Sequence, residues 1–84
     1  MNLERLQYQG LLTQNKKKIT QCKLEAAGIM ITLRTQLNPY EDDLTLLNLE
    51  AAKVLLERLL ELQCQLKELS QKVRSLQEAL GEED

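Results

Sequence analysis

The sequence predicts an all-α fold, two long amphipathic helices turned back on each other as an antiparallel helical hairpin in coiled-coil style. Three observations predict it. Apolar residues in the second half keep an unbroken heptad spacing, the first half carries a second apolar stripe of similar length, and Asn38-Pro39 stands between them as a turn.

The heptad run is Ala52, Leu55, Leu59, Leu62, Leu66, Leu69, Val73, Leu76 and Leu80. Its steps alternate between three and four residues, the a/d repeat that keeps one apolar seam facing a partner helix. Polar residues fill most of the remaining positions, among them Glu61, Gln65, Lys67, Glu68, Gln71, Lys72 and Arg74. Asn38 is a suitable N-cap, Pro39 suits the first helical position, and Glu41 completes a capping box three residues after Asn38. Asp42 and Asp43 add negative charge where the helix dipole favours it. Gly81 follows Leu80 as a C-terminal stop. Helix 2 is therefore expected over about 39–80, after a turn at about 38–40, with residues 81–84 as a frayed tail.

Tyr8, Leu12, Ile19, Cys22, Ala26, Ile29 or Met30, Leu33 and Leu37 form the stripe of helix 1, expected over about 2–37. Asn15 interrupts it, and Gly10, Gly28 and the polar stretch Thr13–Lys18 weaken it, most of all between residues 9 and 18. Helices of about 36 and 41 residues span about 54 and 60 Å at 1.5 Å per residue, a match in length that suits a hairpin. A turn centred near Tyr40 sets Cys22 against Leu59, Ala26 against Leu55 and Leu12 against Leu69.

One seam cannot cover all the apolar residues near the turn. Leu46, Leu49, Leu56 and Leu60 lie beside the seam of helix 2, and Leu24, Ala27, Met30 and Ile31 lie off the stripe of helix 1. Leu44, Leu47, Ala51, Leu55 and Leu59 also break the heptad phase, as in a segment packed against several helices. Leu24, Ala27, Ile31, Leu46, Leu49, Leu56 and Leu60 are thus the candidate interface. A two-fold homodimer closing into a four-helix bundle is the simplest way to cover them. A further protein partner would cover them equally well.

The 84 residues make one small domain, for which burial against a partner offsets a limited core. Net charge is −2, too small to imply a nucleic-acid or membrane partner. The halves are complementary: residues 1–38 carry six basic and two acidic groups, and residues 39–84 carry five basic and eleven acidic. Cys22 and Cys64 are too few for a disulfide framework. Cys22 reads as a small buried apolar residue and Cys64 as an exposed thiol. With no signal-peptide pattern and no membrane-length apolar run, a cytoplasmic location is expected.

The absence of His excludes His-based triads, general bases and metal ligation. Glu57, Glu61, Glu68 and Glu78 alternate with cations on a solvated face and lack the Glu-x-x-His motif of bundle di-metal sites. No catalytic residue, cofactor or metal is expected. Lys16, Lys17, Lys18 and Lys23 are the candidate phosphate contacts, though three consecutive helical residues fan around the axis and no aromatic neighbour offers base stacking. A protein-interaction module is the leading reading. A small regulatory protein touching nucleic acid through basic helix 1 is the alternative.

The stretch Leu37-Asn38-Pro39-Tyr40-Glu41-Asp42, the leucine heptads after it and the closing Ala79-Leu80-Gly81 resemble small helical-hairpin proteins of Mu-like prophages and related phages. The resemblance spans residues 33–81. It implies a cytoplasmic bacterial or phage accessory protein and assigns no active residues.

Overall fold

Steps of four and three run without interruption through Tyr8, Leu12, Asn15, Ile19, Cys22, Ala26, Ile29, Leu33 and Gln36. In the computed structural model, which describes residues 3–81, these nine positions are the buried or half-buried stripe of helix α1, Leu3–Gln36. The heptad is therefore as strict on α1 as on its partner. It is hidden in the sequence because Asn15 and Gln36 occupy two of its positions. Gln36, not Leu37, continues the seam, and Leu37 stands 48% exposed. Met30 is likewise outside it, at 50%.

Helix α1 is continuous through residues 9–18, the stretch expected to be weakest. Thr13 returns its hydroxyl to the carbonyl of Gln9 at 3.0 Å, and the Asn15 amide donates to the carbonyl of Leu11 at 2.9 Å. Such bonds to the preceding turn satisfy polar side chains without breaking the backbone ladder.

Helix α2 spans Leu49–Leu80. Ala52, Leu62, Leu69 and Leu80 are buried along it, and Leu55, Leu59, Leu66, Val73 and Leu76 are half-buried, so all nine heptad positions form its seam. Ile29, Leu33, Ala52 and Leu62 make the centre of the core, with Cys22, Ala26, Leu55 and Leu59 packed against it. The result is a rod of 65 × 20 × 14 Å. The described residues contain helix and no strand.

The connection corrects the expected turn. Helix α2 starts at Leu49, not at Pro39, and residues 37–48 form a loop. Asn38 does not cap a helix. Its side-chain oxygen accepts from the Tyr40 amide at 3.0 Å and its carbonyl from the Glu41 amide at 3.2 Å, closing a turn with Pro39 at the second position. Glu41 accepts from the Asp43 amide at 3.0 Å instead of completing a capping box. Asp43 accepts from the backbone and hydroxyl of Thr45, capping a single 3-10 turn at Leu44–Leu46. The true N-cap is Asn48, whose oxygen accepts from the Ala51 amide at 3.1 Å. Glu50 supplies the acidic group of the first turn.

The longer loop also explains the phase break. Leu44 and Leu47 belong to the connection, so they never shared the helical period of Leu55 and Leu59. The helices are consequently set more than one turn from the register of a tight hairpin. Arg5 reaches the carbonyl of Leu80, Cys22 reaches Gln65 and Glu25 reaches Arg58. Gly81 ends α2 as expected: it adopts φ 73°, and its N–H closes on the carbonyls of Gln77 and Glu78. The rest of the expected tail, 82–84, and the first two residues lie outside the described residues.

Candidate protein-binding flank

An antiparallel pair of heptad helices has two flanks, each lined by one side of either helix. Here the flanks differ in chemistry. On one, Arg58 of α2 bridges across the seam to Glu25 of α1 with its Nε and a terminal nitrogen, at 2.6 and 2.9 Å. The other terminal nitrogen holds Glu61 at 2.9 Å, one turn along α2. Hydrogen bonding from Arg58 lowers the Glu25 pKa, its desolvation opposes this, and the Arg58 charge lowers it further. The bidentate fork fixes geometry more than it stabilises, because both side chains remain partly in water. Further along the same flank the Cys22 thiol meets the Gln65 side-chain carbonyl at 3.5 Å. A cleft lined by Lys18, Gln21, Glu68 and Lys72 completes this polar side.

The opposite flank is apolar near the loop. Met30 lines one cleft with Leu56, Leu60 and Gln63, and Leu37 lines the next with Leu49, Lys53 and Leu56. A third groove continues from Met30 past Arg34 and Leu37 to Pro39. Leu49, Leu56 and Leu60 are 43, 54 and 58% exposed. Five large apolar side chains thus line three adjoining clefts on this flank.

This arrangement divides the residues expected at an interface. Leu49, Leu56 and Leu60 line these clefts, and Ala27 falls on the same side of α1, in the heptad column of Arg34. Leu24 and Ile31 lie in the heptad column opposite the α1 seam, on its outer face, 69 and 65% exposed. Leu46 is part of the 3-10 turn, so the four leucines 46, 49, 56 and 60 are not one helical stripe. Leu37, which the sequence stripe placed in the seam, and Met30, which it left as an alternative to Ile29, are both groove residues. Strict alternation reaches Ile29 rather than Met30 after Ala26, and Gln36 rather than Leu37 after Leu33, which releases both.

The lysine run is likewise divided. Lys16 falls on the apolar flank, one heptad from Lys23. Lys17 faces outward, and Lys18 lines the polar cleft. Charge on the apolar flank has one sign: Lys16, Lys23 and Arg34 from α1, and Lys53, Lys67 and Arg74 from α2, with no carboxylate in those columns. The acidic groups of α2 occupy its outer face at Glu50, Glu57 and Glu78, or its other side at Glu61 and Glu68.

Among the described residues no three His, Cys, Asp or Glu side chains gather as a metal site. Both cysteines are free; Cys64 is exposed, with its sulfur 3.9 Å from a Glu68 oxygen. No described helix is long and apolar enough to cross a membrane. No protein-family model matches the chain, and neither a curated protein nor a solved structure is significantly similar to it. The flank itself therefore carries the functional reading.

Proposed function

We propose that the chain is a protein-interaction module, a helical hairpin without catalytic activity that self-associates through its apolar flank. The observation behind this is the gathering of Met30, Leu37, Leu49, Leu56 and Leu60 on one side of the rod, each 43–58% exposed. Single exposed leucines are ordinary, whereas a contiguous apolar groove on a small rod marks a contact surface. A two-fold axis through the groove covers the same residues on both copies and closes a four-helix bundle over the loop half. A cytoplasmic accessory role, which the resemblance of residues 33–81 to small helical-hairpin proteins of Mu-like prophages implies, is consistent with such a module.

Sedimentation at micromolar concentration tests this. The unmodified chain is expected to be dimeric, and Leu56→Asp to yield monomer or unfolded chain. A stable, well-folded monomer of the unmodified chain would refute the reading.

A second reading keeps one supporting observation. Lys16, Lys23, Lys67 and Arg74 lie on one flank without a carboxylate, an arrangement that also suits phosphates. Under that reading a DNA or RNA duplex shifts with the protein at low salt and is released steeply as salt rises.

A further inference from the structure

Resting on that self-association, the charge pattern also fixes how the two copies lie. We propose that the rods pair antiparallel, the Glu41-Asp42 loop of each copy seated against Lys23 and Lys67 of the other.

The axis follows from the groove. Met30 and Leu56, near its middle, stand six to seven residues from the loop ends of their helices, about 10 Å along the rod at 1.5 Å per residue. A two-fold axis there carries the loop end of one copy to about 20 Å along its partner. That is the height of Lys23, thirteen residues before the end of α1. Lys67 lies about 7 Å further, where the loop beyond the helix ends arrives. The loop is the acidic part of the chain nearest this position, with Glu41, Asp42 and Asp43 in succession. Asp43 accepts from Thr45, and one Glu41 oxygen accepts from the Asp43 amide, which leaves Asp42 and the second Glu41 oxygen to meet the lysines.

A parallel pairing gives the opposite result. It would bring Lys23 of one copy to Lys23 of the other and loop to loop, so like charges would face each other at both places. Antiparallel overlap instead sets Lys23 and Lys67 against an acidic loop, twice by symmetry, at the cost of bringing Arg34 close to the height of Lys23 on the other copy. Such pairing selects orientation more than it adds affinity. The second copy thereby supplies the carboxylates that this flank lacks.

The test is a pair of charge-swapped proteins. Lys23→Glu with Lys67→Glu reverses the flank, and Glu41→Lys with Asp42→Lys reverses the loop. Each alone is expected to dimerise at least about tenfold more weakly than the unmodified chain, because each homodimer sets like charges together. Mixed in equal amounts they are expected to form a heterodimer with affinity restored to within about threefold of the original, since both of its contacts are complementary. Circular dichroism confirms that each variant is folded. Loss of dimer in both variants with no rescue in the mixture overturns the pairing of loop with flank. Dimers unaffected by either swap overturn the orientation and leave self-association standing. A folded monomer of the unmodified chain removes both, and a DNA shift abolished by the flank swap in that monomer assigns the lysines to phosphate instead.

Discussion

Asn15 occupies a seam position of α1, 9% exposed, and its Nδ2 donates to the carbonyl of Leu11 one turn back at 2.9 Å. The bond is local, so the amide is satisfied without any group on α2. A polar residue at a seam position lowers stability while discouraging other registers and oligomeric states. Asn15→Leu is expected to raise stability to chemical denaturation by about 1–3 kcal/mol, the scale of burying one leucine. It should also broaden the distribution of assembly states seen in sedimentation. Unchanged or lower stability would show that the site cannot accept an apolar side chain.

Seam and surface should separate cleanly on α2. Leu62 is 1% exposed and Leu69 9%, and truncating either to alanine is expected to cost about 2–5 kcal/mol in unfolding experiments. Glu57 and Gln71 share the outer column, and their alanine variants should stay within about 0.5 kcal/mol of the original. Equal effects in the two pairs would contradict the phase of α2.

Much of this pattern was legible because leucine heptads report a buried seam whatever their partner. The positions from Ala52 to Leu80 needed no tertiary information. The loop was less legible for a physical reason. Asn38-Pro39 with Glu41 satisfies the local rules of a helix start, and the same residues satisfy those of a turn. Asn48 was the competing cap, with no proline to advertise it. Register followed the loop, so an error at one end displaced every cross-helix pair. The groove was half legible: leftover leucines signalled it, but its assignment to one flank required the register. The one-sided charge emerged only when the heptad columns of both helices were set side by side.

Acid should weaken the contact across the polar flank. Arg58 holds the Glu25 carboxyl below its ordinary value of 4.5. A carboxylate whose folded pKa is depressed contributes stability above that value and loses it as pH falls through the folded pKa. The difference in melting temperature between the unmodified chain and Arg58→Ala is therefore expected to be steady from pH 7 to about 5 and to narrow below about 4.5. Added salt should shrink it at neutral pH, since both side chains are partly exposed. A difference indifferent to pH and salt would assign the effect of Arg58 to packing of its aliphatic stem.

The two asparagines of the connection give the sharpest check on where α2 begins. Asn48 accepts from the Ala51 amide at 3.1 Å and serves one of the donors left unpaired at the start of the helix. Asn38 instead accepts from Tyr40, within a turn that no helix depends on. Replacing an N-cap asparagine by alanine costs about 0.5–2 kcal/mol, and glycine, which leaves the donor open to water, costs only a few tenths. Asn48→Ala is thus expected to destabilise by about 1 kcal/mol and Asn48→Gly by distinctly less. Asn38→Ala should change stability by under about 0.5 kcal/mol, as a surface turn substitution does. Amide hydrogen exchange gives an independent reading of the same boundary. Protection should rise at Ala52, whose amide donates to the Asn48 carbonyl at 3.1 Å, and stay low through Asp42 and Asp43. If instead Asn38→Ala were the costly substitution and residues 42–48 were protected, α2 would begin at Pro39. The register, the groove and the proposed pairing of two copies would then all have to be redrawn.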